Sequence, residues 1–146
     1  MTTHYKSILV AVDGSKGAEH AFHKSIEIAY QNPGSQLNIV NIIDTRYLGP
    51  LDKGIGEQVK EQSKQVLERY KARAAALRVE NVNIIIEFGS PKMIITEEIS
   101  KSVKADLIIC GATGYTPVER FFIGSVSEAI VRSAKCDVLI IRTPAE

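Results

Sequence analysis

The chain has 146 residues, the size of one typical domain, and 45% of them are apolar, which suffices for one hydrophobic core. Lysine and arginine number 18 against 17 acidic residues, so the net charge of +1 predicts binding neither to nucleic acid nor to a membrane surface. Every apolar run is far shorter than the roughly 20 residues that span a bilayer. We therefore expect one soluble domain, residues 1–146, with no membrane contact.

Two further features favour a cytoplasmic location. The first residues carry no small-residue cleavage site after their short apolar run, so no export signal is evident. Cys110 and Cys136 are isolated in apolar segments and form no C-x-x-C pair. We interpret both as reduced core thiols, as expected in a reducing compartment.

Five apolar, β-branched runs predict five strands. The runs are Ser7 to Val12, Leu37 to Ile43, Val82 to Phe88, Ala105 to Cys110 and Asp137 to Arg142. They are apolar at nearly every position instead of alternating with polar residues. This pattern favours a parallel sheet that is covered by helices on both faces.

Helical periodicity fills the intervals between these runs. Apolar residues recur at helical spacing from Ala18 to Ala29 and from Val59 to Leu77. Ser90-Pro91 predicts an N-cap and a proline in the first turn of a third helix, and Ser125 opens a fourth. The order βαβαβαβαβ predicts a doubly wound, Rossmann-like α/β fold whose ligands bind beyond the carboxyl ends of the strands.

The stretch from Thr45 to Gly56 interrupts this alternation. It holds three glycines and a proline, and it is longer than a usual strand-to-helix connection of about 2–6 residues. We interpret it as a mobile loop beside the site. A solvated insertion without a function is the alternative.

The most informative segment is GATGYTPVERFFIGS, which runs from Gly111 to Ser125 directly after the fourth strand. A strand that breaks into glycines and restarts as a helix exposes backbone N–H groups, which can surround phosphate oxygens. Gly111 and Gly114 would let the chain approach ribose and phosphates without a Cβ in the way. The expected ligand is therefore a nucleotide.

The start of the fourth helix supplies the other predicted donors. Gly124 would let the chain approach a phosphate, and Ser125, Val126 and Ser127 would present N–H groups of the first turn. Both serine hydroxyls could donate to phosphate oxygens or bind a metal, with helix capping as the alternative for Ser125. Arg120 is the nearest cation, with simple solvation as its alternative.

The first predicted strand leads into Asp13-Gly14-Ser15, which places a carboxylate near a strand's carboxyl end. Asp13 could accept hydrogen bonds from ribose hydroxyls or an adenine amino group, although Asp-Gly-Ser is also an ordinary turn sequence. If strands one and four are adjacent, Asp13 and the glycine segment face one crevice at the topological switch point. The two signals therefore support each other.

Other signatures are missing. No G-x-x-x-x-G-K-[ST] motif occurs, and Gly54 with Gly56 lacks the rest of a dinucleotide fingerprint. His20 and His23 have helical spacing but no further ligands that would identify a metal site, so we interpret them as part of a solvated face. No catalytic residue can be nominated. The sequence predicts a binding site more clearly than an enzyme.

The chain resembles the universal stress protein family, in its ATP-binding branch with the G-2x-G-9x-G-[ST] signature. The matching segments are ILVAVDGS, LNIVNIID, FGSPKMIITEEI, ADLIICGATG and FFIGSVSEAIVRSAKCDVLIIR. The resemblance covers the whole chain. It implies a five-stranded parallel sheet ordered 3-2-1-4-5 and a homodimer through the last strand, Val138 to Ile141.

The resemblance also implies a site for ATP, or for AMP or another adenine nucleotide. The residues that it places around the base and the adenosine are Asp13, Ala11, Val12, Ile42, Cys110 and Gly111. Those that it places around ribose and phosphates are Gly114, Gly124, Ser125, Val126 and Ser127. Many family members carry a basic residue after the second glycine, where this chain has Tyr115 and Thr116. Charge neutralisation would then depend on backbone N–H groups, Arg120, or a divalent cation such as Mg²⁺ or Mn²⁺.

Three functions follow from this reading. The first is an ATP-binding regulatory or stress-resistance protein that acts as a homodimer. The alternatives are a slow ATP hydrolase that uses the same site, and a scaffold dimer that binds no nucleotide. An enzyme would need a residue that orients water in line with a phosphorus atom, and the sequence identifies none.

Overall fold

The computed structural model describes residues 4–45, 53–112 and 124–143. Five parallel strands form one sheet in the order β3-β2-β1-β4-β5, which confirms the expected fold. The strands are β1 Ser7–Ala11, β2 Gln36–Asp44, β3 Val82–Gly89, β4 Leu107–Gly111 and β5 Asp137–Ile141. The sequence predicted β1 one residue too long. Because β1 and β4 are adjacent, the topological switch point lies between them.

The helices of the described ranges are α1 Lys16–Gln31, α2 Lys53–Ala76, α3 (residues 91–102) and α4 Ser125–Ser133. Helix α3 is composite, because a π-helical turn, Ile95–Ile99, separates the α-helical pieces Pro91–Ile94 and Ser100–Ser102. No helix in these ranges is both long and apolar enough to cross a bilayer.

The predicted loop before α2 was too long. Because α2 begins at Lys53, Gly54 and Gly56 lie inside the helix, and residues 46–52 of that loop lie outside the described residues. A glycine in a helix costs only about 1 kcal/mol relative to alanine. The packing of α2 along the sheet outweighs that cost, which composition alone did not reveal.

Two helices cover each face of the sheet, and alternate residues of the central strand point to different faces. Ile8 and Val10 pack with Phe22 of α1 in a cluster that also includes α2. Leu9 packs on the other side, in a cluster with Ile130 of α4 and residues of α3. The continuous apolar pattern of β1 therefore reflects burial on both faces.

A tight turn connects β1 to α1. Gly14 has a φ of +85°, a left-handed conformation that favours glycine. The side chain of Ser15 accepts a hydrogen bond from the Ala18 N–H at 3.1 Å and so caps α1. The chain thus reverses from strand to helix within a few residues, and α1 begins beside the end of β1.

Helix α1 also lies close to the end of β4. A Cβ atom on Gly111 would lie 2.8 Å from the carbonyl carbon and oxygen of Gly17. A separation that short is not tolerated between a side chain and backbone atoms. Gly111 is therefore needed for the packing of α1 on β4, whereas the sequence suggested only an approach to a ligand.

A polar cluster joins α1 to α2. A guanidinium nitrogen of Arg73 donates to the Glu19 carboxylate at 2.5 Å, and the Tyr70 hydroxyl donates to the same carboxylate at 3.0 Å. The guanidinium also lies 5.0 Å from the Phe22 ring centroid, and His23 Nε2 lies 3.1 Å from Arg73. The hydrogen bond from Arg73 lowers the pKa of Glu19, and burial raises the pKa of Tyr70 to about 12.

Replacing Gly111 by alanine tests the close approach of α1 to β4. We expect the variant to lose about 1–3 kcal/mol of unfolding free energy, because the added methyl group must displace the backbone of Gly17. Urea denaturation measures the change, and an unchanged m-value ensures that both proteins unfold to the same state. An unchanged midpoint would contradict the close packing.

Replacing Glu19 by glutamine tests the polar cluster. A carboxylate with a lowered pKa stabilises the folded chain above its ordinary pKa, and that contribution is lost as the pH falls through the lowered value. The wild type should therefore have a higher free energy of unfolding than Glu19→Gln at neutral pH, and this difference should disappear in acid. It should not exceed about 1 kcal/mol, because both side chains are partly exposed.

Denaturation of both proteins from neutral to acid pH measures this difference. Glu27→Gln is the matched control, since Glu27 pairs with Lys24 along the exposed surface of the same helix. If Glu19→Gln behaved like Glu27→Gln at every pH, the cluster would have no stabilising role.

Candidate functional site

Strand β2 continues beyond the end of β1, and this leaves backbone groups of Ile42 without a ladder partner. Ala11, the last residue of β1, is in register with Val40, and the Val12 N–H donates to the Val40 carbonyl at 2.8 Å. In a parallel ladder the next bond would join the Ile42 N–H to the Val12 carbonyl. That bond is not formed between these described residues. The N–H and C=O of Ile42 therefore face the crevice beyond β1.

Asp13 follows the end of β1 by two residues and has an exposed side chain. Its Oδ1 accepts a hydrogen bond from the Ser15 N–H at 2.9 Å, which is the ordinary turn role that the sequence left open. A carboxylate has room for about four hydrogen bonds. This hydrogen bond fixes the side chain of Asp13 within the turn.

The other side of the crevice is formed by the start of α4. Gly124 has the extended conformation of an N-cap, with φ −61° and ψ 157°, and its N–H donates to the Ala112 carbonyl at 2.7 Å. The first intrahelical bond joins the Glu128 N–H to the Gly124 carbonyl at 2.9 Å. The N–H groups of residues 125–127 precede that bond and have no acceptor within the helix.

The two serines of this turn have different environments. Ser127 is buried, and its hydroxyl donates to the Gly111 carbonyl at 2.5 Å, so it ties α4 to the end of β4. A contact between the Ser127 hydroxyl and phosphate would require that bond to break. Ser125 is exposed and is the first helical residue. The capping alternative for Ser125 was wrong, because Gly124 already occupies the cap position.

An apolar surface borders the crevice on the face covered by α3 and α4. Ala11, Ile42, Ile94 and Val126 are partly buried and pack against one cluster, to which Cys110 also belongs. They come from the ends of β1 and β2 and the first turns of α3 and α4. Burial raises the pKa of the Cys110 thiol to about 11, so this residue is neutral at physiological pH. The surface is therefore apolar and uncharged.

The structure brings together most of the predicted site residues. Ala11, Ile42, Cys110 and Val126 share the α3/α4 face, whereas Val12 packs in the cluster on the opposite face. Gly114 and Arg120 lie outside the described residues. Within the described ranges, no group of three or more histidine, cysteine, aspartate or glutamate side chains could hold a metal ion.

Sequence reasoning missed two polar residues behind the site. Asn41 of β2 donates through Nδ2 to the Val12 carbonyl at 2.8 Å, and Ser63 of α2 donates to Asn41 Oδ1 at 2.7 Å. They line a cavity of about 150 Å³ that is also lined by apolar Val66 and Leu67 of α2 and by the turn after β1, Val12, Asp13 and Gly14. An isolated asparagine in an apolar strand belongs to no motif, so the sequence offered no signal for it.

Comparison with known protein families gives one match that spans nearly the whole chain. The model of the universal stress protein family matches residues 4–142. A universal stress protein of Staphylococcus saprophyticus is 49% identical over 142 residues, which cover 95% of this chain and 84% of that protein.

Solved structures agree in fold. Universal stress protein UspA from Lactobacillus plantarum superimposes with a TM-score of 0.84 at 29% identity, covering 97% of this chain and 100% of that one. A family protein from Arabidopsis thaliana, solved with AMP bound, has a TM-score of 0.70 at 23% identity, covering 96% and 93% of the two chains. At that identity the second likeness concerns the fold alone.

Proposed function

The chain belongs to the universal stress protein family, and from that premise we propose that it binds an adenine nucleotide, ATP or AMP, in the crevice beyond β1. Nucleotide occupancy would regulate a stress-resistance function of a cytoplasmic homodimer. One observation carries the proposal. Backbone groups without ladder or helix partners border the same crevice from two sides, at Ile42 and at residues 125–127.

The end of the crevice at Ile42 suits the base. The N–H and C=O of one strand residue point the same way, so Ile42 presents a donor beside an acceptor. Adenine presents the complementary pair, an N1 acceptor beside an N6 amino donor. The apolar surface of Ala11, Ile42, Ile94 and Val126 would pack against the ring and exclude water. Asp13 at the edge of the crevice would accept a hydrogen bond from the ribose or from the amino group.

The end at α4 suits phosphate. The N–H groups of residues 125–127 point out of the helix N-terminus, where the helix dipole favours negative charge by about 0.3–1 kcal/mol. Mg²⁺ or Mn²⁺ would be coordinated mainly by the phosphates of the nucleotide, and Arg120 would add a further positive charge. The proposed role is binding without hydrolysis. We therefore expect the nucleotide to be recovered intact from the purified protein.

One relative in fold lends independent support. The Arabidopsis thaliana protein was solved with AMP, which is a property of that protein. The two chains share their fold, so this architecture accommodates a nucleotide in that protein. In the present chain, its own backbone groups and apolar surface support the proposed binding.

Replacing Gly124 by valine tests the phosphate end. We expect ATP binding to be abolished in a folded protein, because the branched side chain would fill the space in front of the α4 N–H groups. The backbone itself tolerates valine, since Gly124 has a φ of −61°. Calorimetric titration with ATP measures binding, and circular dichroism checks folding.

Asp13→Ala is the contrasting variant, because Asp13 borders the nucleoside end. It should lose about 1.5–3 kcal/mol of ATP binding, as expected for one hydrogen bond to a charged group, and keep its affinity for inorganic triphosphate. Unchanged ATP affinity in folded Gly124→Val would contradict the phosphate role of the helix. Equal weakening of ATP and triphosphate by Asp13→Ala would contradict its role at the nucleoside.

The proposed homodimer uses the edge of β5. Among the residues that the structure describes, this strand pairs only with β4, and its residues 138–141 are all partly exposed, with no proline or lysine to block pairing. The Ile141 carbonyl accepts from the Ala112 N–H, so odd-numbered residues of β5 face β4. Ile140 therefore directs its N–H outward, toward a second copy related by two-fold symmetry.

Replacing Ile140 by proline tests this edge. The variant loses an outward donor but no bond of the β4–β5 ladder, so we expect a folded protein that shifts from dimer to monomer. Sedimentation equilibrium measures the mass. Ile84→Pro is the matched control, because Ile84 directs its N–H outward from β3, the opposite edge of the sheet. A wild-type monomer at high micromolar concentration, or an Ile140→Pro dimer, would contradict the interface.

A further inference from the structure

The Asn41 amide occupies the position of the missing rung between β1 and β2. The Val12 carbonyl would accept from the Ile42 N–H in a regular parallel ladder, but it accepts from Asn41 Nδ2 at 2.8 Å. The orientation of the amide follows from chemistry, since its oxygen would repel the Val12 carbonyl oxygen if the two amide atoms were exchanged. A side chain thus replaces a main-chain donor at the point where β1 ends.

Helix α2 holds this amide in place. The Ser63 hydroxyl donates to Asn41 Oδ1 at 2.7 Å, so the amide oxygen and nitrogen are engaged on opposite sides. Val12 is also fixed at its other end, because its N–H donates to the Val40 carbonyl at 2.8 Å. The peptide that joins Val12 to Asp13 is consequently oriented by a chain of contacts that begins on α2.

We propose that Asn41 is a positioning residue that keeps the Ile42 N–H available for a ligand by holding the Val12 carbonyl out of the ladder. Without the amide, the Val12 carbonyl would be left unpaired, which a partly buried polar group avoids. The donor that the ladder offers next is the Ile42 N–H. The Ile42 N–H would then donate to the Val12 carbonyl and extend the β1–β2 ladder by one hydrogen bond. It would no longer be available to a base.

The identity of the ligand rests on the proposed function, but the first test needs no ligand. Asn41→Leu is the informative variant, because leucine has a similar size, donates no hydrogen bond and fills the space beside apolar Val66 and Leu67. It also leaves little room for a water molecule that could replace the amide. Ser63→Ala is the matched control, since it removes the contact to α2 and retains the donor to Val12.

Amide hydrogen exchange of the ligand-free, ¹⁵N-labelled chain, followed by NMR, decides the proposal. We expect the Ile42 N–H of the wild type to exchange at least about 10-fold faster than the ladder-bonded Val40 N–H, and to slow by about 10-fold or more in Asn41→Leu. General destabilisation would accelerate exchange, so slowing reports a new hydrogen bond. In Ser63→Ala the Ile42 N–H should remain fast.

Titration with AMP and with pyrophosphate extends the test to binding. Asn41→Leu should weaken AMP binding by at least about 10-fold and leave pyrophosphate binding unchanged, because only the base uses Ile42. If the wild type bound no AMP, the proposed function would fail while the exchange experiment still decided the role of Asn41.

Should Asn41→Leu not fold, Asn41→Asp takes its place, because aspartate keeps the acceptor for Ser63 and loses the donor to Val12. Three results would overturn the proposal. The Ile42 N–H could already be protected from exchange in the wild type, its exchange rate could be unchanged in Asn41→Leu, or its exchange could slow equally in Ser63→Ala.

Discussion

The central strand β1 ends at Ala11, whereas its neighbours β2 and β4 continue to Asp44 and Gly111. Main-chain groups of the longer strands that would pair with β1 must then pair with something else or face an open crevice. Because buried backbone groups are rarely left unpaired, such a crevice requires either solvent or a ligand with its own donors and acceptors. The unpaired groups of Ile42 follow from this difference in strand length.

The two faces of the sheet contribute different groups around that crevice. On the α3/α4 face, the apolar surface and the first turn of α4 would contact the base and the phosphate of the proposed nucleotide. On the α1/α2 face, the contacts support the strand ends: Asn41 holds the Val12 carbonyl, and Gly17 packs directly against Gly111. The Ser127 hydroxyl links the two parts, because it fixes the start of α4 to the Gly111 carbonyl. The groups that would contact a ligand are thus positioned by other residues, which would not contact the ligand themselves.

The fold could be predicted from the sequence because burial on both faces leaves an unmistakable pattern. The runs that became β1 to β5 are apolar at nearly every position, and the Ser90-Pro91 pair identified the start of α3. Helix α2 was predicted to begin too late, since glycine content was interpreted as a loop where packing decides in favour of a helix. The π-helical turn in α3 has no sequence signature and was not anticipated.

The site was less predictable, because it depends on contacts between residues far apart in the sequence. The glycine motif identified Gly124 and the helix start correctly as neighbours of β4, but the contact of Gly111 with Gly17 is set by tertiary packing. A strand predicted to end at Val12 instead of Ala11 concealed the missing rung. That one-residue difference decides whether the Ile42 N–H is paired, and a hydrophobicity pattern does not resolve it.

A crystal structure of the full chain grown with millimolar AMP would test the central claim most directly. We expect the adenine edge on the N–H and C=O of Ile42, the ring against Ala11 and Val126, and the phosphate at the N–H groups of residues 125–127. A base seated instead in the cavity beside Asn41 and Ser63, or a phosphate bound away from the start of α4, would contradict it. So would a ligand-free crevice in which Ile42 and Val12 are hydrogen-bonded to each other.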